Sequence, residues 1–466
     1  MPPPSNVVLL LSDEHNPFFS SPYGDTRIDT PNMQRMANGG ALFQNAYCPS
    51  PLCLPCRAAF TAGRYAHETQ AYNNSNVNLT TDFDTWGRAL DRQGVHSVMV
   101  GKVDAFAPSS DLGYSEEIVT GDRAFPGDTN ISRNPMAIRH GANERCWQFG
   151  PKNDPYPHDD CAIENAIHWL ETKASGIGKP FAMAINILAP HFPHYCHHNT
   201  WDKYAFAEDL PKYGTEEESA QHPRSIEQKK HFQVEAFPEE AVRGLRRGYY
   251  ACVDYVDQQL GRIMKALENA GISGSTNLIY ASDHGEMLGK FGMWWKCSLY
   301  EDSARIPIIA TGPDFGNRGI IKTPVNLLDV QAEFFKSTGA TIPEGMKGRA
   351  LSEISNDEPE TFAFSEYHGH GASESAFMVR KGEWKLIYHF NAPHQLFNLS
   401  NDPDELDNLY DAEPRVANEL ENDLRSICDP DAENKRAHEF VNGQVATIEE
   451  EDLSYAIYDR NIGKSS

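Results

Sequence analysis

Val7-Val8-Leu9-Leu10-Leu11-Ser12-Asp13-Glu14-His15 is a short apolar run that breaks into polar, chemically capable side chains. The pattern returns three times. Ser97–Val100 leads into Gly101-Lys102-Val103-Asp104, Phe181–Leu188 into Ala189-Pro190-His191, and Leu278–Ala281 into Ser282-Asp283-His284-Gly285. Short β-rich runs of this kind, bounded by turn residues, read as buried strands. Helical patterns lie between them. Asp29-Thr30-Pro31 is a cap-plus-proline start before Met33, Met36 and Ala37. Pro238-Glu239-Glu240 opens a long helix with Leu245, Tyr249, Cys252, Val256, Leu260, Ile263 and Leu267 on one face. Alternating strands and helices predict an α/β fold, a large, mainly parallel sheet covered by helices on both faces. In such sheets ligands bind at the carboxyl ends of the strands, which is where all four sets of reactive residues fall.

From about residue 361 the texture changes. Phe377–Arg380, Trp384–Tyr388 and Gln395–Leu399 read as short antiparallel strands, and a helix is expected around Val416 to Ile427. The expected organisation is therefore a catalytic α/β domain over 1–360, a smaller α+β subdomain over 361–428, and an acidic tail over 429–466. The segment 193–235, rich in His, Lys, Glu and Pro, reads as a long loop walling a site. No internal repeat is visible.

The 466 residues include 41 Lys and Arg against 66 Asp and Glu, a formal charge of −25. So acidic a surface repels phosphate backbones and anionic bilayers, so neither nucleic acid nor membrane is an expected partner. Hydrophobic residues at 40% and aromatics at 11% exclude a disordered chain. The five-residue run Val7–Leu11 is too short for a signal peptide or a membrane span. Nine scattered cysteines, an odd number, argue against a full disulfide framework. The expectation is a cytoplasmic protein. An anionic substrate would then need a local cluster of positive charge.

Asp13, Glu14, Asp283 and His284 supply three carboxylates and an imidazole from two strand ends. Converging carboxylates repel unless protonated or bound to metal. An oxygen-rich set with one imidazole suits Ca²⁺ first, then Mn²⁺ or Mg²⁺. The competing reading is acidic residues at solvated strand ends. Cys53-Leu54-Pro55-Cys56-Arg57, followed by Gly63-Arg64, admits a redox pair, half a zinc site, or two buried thiols. No second ligand pair lies nearby to complete a zinc site.

Cys-x-Pro-x-Arg with a downstream Gly-Arg resembles the signature of type I sulfatases, members of the alkaline phosphatase superfamily. The resemblance also takes in Thr30-Pro31-Asn32, Gly101-Lys102, Pro190-His191-Phe192-Pro193 and Ser282-Asp283-His284-Gly285. It implies that a formylglycine-generating maturase oxidises Cys53 to formylglycine, whose hydrated aldehyde is the nucleophile. It also implies a divalent metal on Asp13, Asp283 and His284, with Glu14 standing where many members carry Asp. Arg57 would hold the nucleophile's loop and Lys102 would contact the formylglycine hydroxyl. His191 and Lys296, the latter in Trp294-Trp295-Lys296-Cys297, would bind sulfate oxygens and protonate the leaving alcohol. Asn74 matches a residue that contacts the sulfuryl group. Two departures stand out. Cys56 replaces a common Ser, and Asp104 replaces a common His, which makes Asp104 a candidate base if its surroundings raise its pKa.

Within the family, His67-Glu68 to Asn73-Asn74 and Ser365-Glu366-Tyr367-His368-Gly369 resemble the arylsulfatase K and uronate 2-sulfatase group. Met293 to Arg305 and Cys428-Asp429-Pro430-Asp431-Ala432 look more like choline-sulfatase relatives. The expected substrate is a small sulfated sugar, with choline or aryl sulfates, or phosphonate esters, as alternatives. A binding protein with an unconverted Cys53 is the non-enzymatic alternative. His194 and His368 are candidates for the leaving-group pocket, and a homo-oligomer is left open.

Overall fold

In the computed structural model, which describes residues 3–235 and 237–453, eight strands form one sheet. They are β1 (Asn6–Asp13), β2 (Ala41–Phe43), β3 (His96–Lys102), β4 (Glu116–Gly121), β5 (Phe181–Pro190), β6 (Thr276–Ser282), β7 (Ile308–Thr311) and β8 (Gly319–Ile321). Across the sheet they run β8-β2-β7-β6-β1-β5-β3-β4. Every neighbouring pair is parallel except those made by β7, which is antiparallel to β2 and β6.

Parallel strands are joined by crossovers, and here the crossovers carry helices to both faces. The principal ones are α1 (Pro31–Gly39), α2 (Cys53–Ala62), α3 (Pro157–Thr172), α4 (Glu239–Asn269) and α5 (Leu327–Thr338). Side chains of a strand alternate between faces, and the core divides accordingly. Val7, Leu9 and Leu11 join Ala182, Ala184, Ile279 and Ala281 against α2 and α5. Val8 and Leu10 join Met183, Ile185, Leu278 and Tyr280 against α1, α3 and α4. The seven residues expected on one face of α4 are all buried.

Register sets the site. Leu11 lies opposite both Asn186 of β5 and Ala281 of β6, Ser12 opposite Ser282, and Asp13 opposite Pro190. The four strands whose ends carry reactive residues, β6, β1, β5 and β3, are consecutive neighbours, so those ends share one edge.

A second sheet of four antiparallel strands follows: β9 (Phe362–Tyr367), β10 (Ala376–Lys381), β11 (Trp384–His389) and β12 (Gln395–Asn398). One face carries Phe377, Val379, Leu386 and Leu396 against Val416, Leu420 and Leu424 of α6 (Pro414–Ile427). The other face, with Met378, Ile387 and Phe397, joins the main core.

Two expectations are corrected. The segment 193–235 is not a plain loop; it holds short helices over His198–Lys203, Glu218–Gln221 and Pro223–Phe232. The last starts at Pro223, with the His222 ring accepting from Arg224 N as its cap. The stretch expected as an acidic tail is, over its described part, a helix, α7 (Pro430–Glu450), and only 454–466 lie outside the described residues. Asp429 caps it and Pro430 fills its first turn. Ala437, Val441 and Ile448 recur at helical spacing and pack on Tyr72, Val77 and Ile131. The surrounding acidic residues masked that stripe. No described helix is long and apolar enough to cross a membrane.

Candidate active site

Cys53 begins α2 and is 1% exposed. The preceding Leu52 is extended, and the first turn's unsatisfied Leu54 N–H donates to Asn74 Oδ1 at 3.1 Å. Cys53 Sγ lies 3.8 Å from Asp13 Oδ1 and 3.4 Å from His284 Nε2. Ligand atoms of Asp13, Cys53, Asp283 and His284 all fall within 4.8 Å of one another, and all four residues are buried. Burial and Asp13 push the Cys53 thiol up, yet Lys102, Lys296 and His284 together hold it well below its ordinary value. Burial lowers His284, but Asp283 and Cys53 outweigh it and raise the ring to about 9.

Arg57, one turn along α2, locks the carboxylates. Its Nε donates to Asp283 Oδ2 at 2.8 Å, and its Nη2 lies 3.5 Å from Asp13 Oδ2. Its Nη1 reaches Lys102 O and Asn186 Oδ1. Lys102 Nζ pairs with Asp13 and lies 3.5 Å from Asp104 Oδ2. Burial raises the Asp13 carboxyl, but Lys102, His191, Arg57 and His284 bring it well below its usual range.

On the opposite side, Lys296 Nζ donates to Glu14 Oε2 at 2.8 Å and lies 2.6 Å from His191 Nε2. The Phe192 carbonyl can only accept, so it fixes the His191 proton on Nδ1 and leaves Nε2 to receive from Lys296. Both neighbours of Lys296 are left-handed, Trp295 at φ 64° and Cys297 at φ 76°, as are Glu14 at φ 70° and Asp104 at φ 52°. Non-glycine residues in that region store on the order of 1–3 kcal/mol each and collect at functional sites.

Asp13, Asp283 and His284 fit a divalent, oxygen-preferring cation: two buried carboxylates and one imidazole converge on one point. Glu14 lies in a separate group with Asp13 and His191. Its Oε1 meets no protein N–H or O–H donor, and burial pushes its carboxyl up to about 8 against the pull of His191 and Lys296. The Glu286 carboxyl hydrogen-bonds to it, so a proton retained at neutral pH bridges the two acids, and Glu14 stands beside the group that converges with Cys53 rather than in it.

Three expectations change. Asp104 is not raised: burial pushes it up, but Arg123 and Lys102 overcome this and hold it low. Arg123 clamps both its oxygens, at 2.7 and 2.6 Å, which leaves a poor base. His194 does not line a pocket. Its Nδ1 donates to Leu245 O at 3.0 Å, its ring packs on Tyr249, and burial lowers it to about 3. His368 spends both nitrogens at 2.8 Å, on Glu366 and on Ser375, so it too is internal. Residues not foreseen are Arg123; Glu286, a buried acid hydrogen-bonded to Glu14; and Asp159, which accepts from Leu188 N and Ala189 N and so aims the strand end at His191. Glu286 directly follows the Ser282-Asp283-His284-Gly285 motif and could have been found there, whereas no sequence spacing links Arg123 or Asp159 to the motifs.

His194 and His231, the latter lowered to about 4 by burial, titrate only after unfolding. Their folded pKa values lie below the unfolded 6.5, so the unfolded state takes up protons first as pH falls. Stability is full above 6.5 and drops between 6.5 and 4, by roughly 3 kcal/mol for His194 alone. Urea midpoints measured at pH 7.5, 6 and 5 should fall in that order, with a shallower fall for His194→Gln.

The mainly parallel sheet, with carboxylates, imidazoles and cations gathered on its carboxyl edge, is an arrangement suited to a hydrolase of anionic esters. The sequence model of the Sulfatase family matches residues 5–340, and that of the N-sulphoglucosamine sulphohydrolase C-terminal region matches 289–429. The chain belongs to the Sulfatase family and is a sulfuric ester hydrolase. It is 28% identical to arylsulfatase K of Danio rerio over 94% of this chain and 86% of the relative. It is 27% identical to choline-sulfatase of Rhizobium meliloti (strain 1021), over 87% and 82%. In fold it is similar to BT4656 in complex with its substrate D-glucosamine-2-N,6-O-disulfate, with TM-score 0.73 and 20% identity over 91% and 97% of the two chains. It is also similar to the phosphonate monoester hydrolase of Agrobacterium radiobacter, with TM-score 0.71 and 20% identity over 91% and 95%.

Proposed function

We propose that the enzyme removes sulfate from a small sulfated sugar, using formylglycine made from Cys53 and a divalent cation, Ca²⁺ foremost, held by Asp13, Asp283 and His284 with Glu14 beside them. The observation that carries this reading is the convergence of Cys53, at the head of a Cys-x-Pro-x-Arg helix, with those three donors.

Formylglycine formed from Cys53 would supply a hydrated aldehyde with two geminal hydroxyls, one as nucleophile toward sulfur and one whose proton loss would let sulfate leave. A cation held by Asp13, Asp283 and His284 would supply Lewis acidity there. Arg57 keeps Asp13 ionised and holds it in line with Asp283. Lys102, paired with Asp13, presents a donor beside the nucleophile. Asn74 spends its Oδ1 on Leu54 N, and among the described residues its Nδ2 has no protein acceptor, so it is available to a sulfuryl oxygen. Lys296 and His191, in contact with each other, stand opposite, where they would bind sulfate oxygens and supply the proton that the leaving oxygen takes up. These cations act at contact distance, while salt screens the distant acidic surface within about 10 Å. The same screened field favours short sulfate esters over long polyanions.

Two measurements test the reading. Mass spectrometry of the Cys53 peptide, from protein co-expressed with a maturase, should find the aldehyde; a persistent thiol sinks the nucleophile. A panel of sugar, choline and aryl sulfates, with a matched phosphonate, should give the highest kcat/KM on a sugar sulfate. A maximum on choline sulfate or on the phosphonate would replace the substrate assignment.

A further inference from the structure

We propose that α7 is a positioning element of the active site, and that Gln444 acts through Asn73 to place Asn74. This rests on the reading of Asn74 as a contact to the sulfuryl group. The helix lies beyond both family matches, the later of which ends at residue 429.

The segment from Gln70 to Thr85 contains no regular helix or strand, and its Asn74 is held from two sides. Residues 123–128 take one side, with Asp128 N donating to Asn74 O at 2.9 Å and Ser75 bridged to Gly127. Gln444 takes the other. This residue is 1% exposed and spends both ends of its amide on the segment. Its Oε1 accepts from Asn73 Nδ2 at 2.8 Å, and its Nε2 donates to Val77 O at 2.7 Å. Asn73 Oδ1 in turn accepts from Ser75 N at 2.9 Å. Gln444 thus holds the Asn73 side chain before Asn74 and the Val77 carbonyl after it, and Asn74's own Oδ1 reaches the residue after Cys53.

The helix is a firm base for this contact. Ala437, Val441 and Ile448 bury against Tyr72, Val77 and Ile131. Asn434 Oδ1 accepts from Ser375 N at 2.8 Å and Arg133 Nη2 at 3.0 Å, and Arg436 Nη2 donates to His67 O. A misplacement of about 1 Å in a group that touches the reacting centre lowers a rate up to about 10²-fold. Asn74 meets charge that develops on sulfuryl oxygens in the transition state, so the loss falls on kcat rather than KM.

The test is steady-state kinetics and thermal midpoints for Asn74→Ala, Gln444→Ala, Asn73→Ala, and the double variant of Gln444→Ala with Asn74→Ala. Gln444→Ala should lower kcat roughly 10- to 100-fold with KM changed less than about threefold. The double variant should be no slower than Asn74→Ala alone. Asn73→Ala breaks the same link while leaving α7 whole, and should reproduce the kcat loss if Gln444→Ala folds poorly. Asn74→Ala without effect would overturn the reading of Asn74 and this inference with it. A large Asn74→Ala effect beside unchanged kcat in Gln444→Ala and Asn73→Ala, or losses that multiply in the double variant, would overturn this inference alone.

Discussion

Replacing Cys53 with alanine is expected to lower kcat/KM at least about 10⁴-fold on any sulfate ester the enzyme accepts, with little change in its unfolding midpoint. The side chain is small and heads a helix whose remaining residues pack as before, so the fold has little to lose. Chemistry has much to lose. On the proposed reading Lys296, His191 and Asn74 would still bind sulfate oxygens and Lys102 would still stand beside them, but the side chain that attacks sulfur would be gone. Cys53→Ser separates two parts of the mechanism. A serine hydroxyl at the head of α2 retains one oxygen able to take up a sulfuryl group, yet lacks the second hydroxyl needed to expel it. Rapid-quench measurement should therefore find about one equivalent of released alcohol followed by arrest. Steady turnover by the alanine variant would show that the nucleophile lies elsewhere.

The parts of this site that were legible in the sequence are those fixed by strand ends. Asp13, Lys102, His191 and Asp283 each follow an apolar run, and parallel register then brings four separate stretches to one edge without further information. What the sequence could not show is which neighbours those residues meet sideways. Asp104 is a candidate base by its place where similar proteins commonly carry His, but Arg123, nineteen residues on and outside any pattern, captures it. His194 and His368 looked like pocket residues because histidines clustered around motifs. Burial against α4 and against Glu366 turned them into internal hydrogen-bond partners instead. The end of the chain shows the same blindness in another form. Its acidic residues dominate the composition, whereas the apolar stripe at Ala437, Val441 and Ile448 decides the structure, because burial of a few side chains outweighs screened surface charge.

Arg57→Ala is expected to be the most destabilising single change in the site, by about 3–5 kcal/mol at pH 7 in metal-free protein. The guanidinium is 2% exposed and bridges Asp13 and Asp283, both fully buried, while also satisfying Lys102 O. Removing it leaves two carboxylates facing each other with Lys102, His191 and His284 left to balance them. The pH dependence follows from sign. Arg57 is one of the groups that hold Asp13 low, so without it that carboxyl protonates more readily, and protonation removes the penalty. The gap between wild type and variant should therefore be widest at neutral pH and close as pH falls through the carboxylate range. Millimolar Ca²⁺ should close it as well, because a cation between the carboxylates supplies the charge that arginine took away. Arg57→Lys should recover only part of the loss, since an ammonium cannot bridge two carboxylates and a carbonyl at once. Urea unfolding at pH 5 and 7.5, with and without Ca²⁺, measures all of this. Equal stability of wild type and Arg57→Ala at pH 7.5 would mean that the carboxylates are protonated together, and the cation site with its ionised donors would fall with that result.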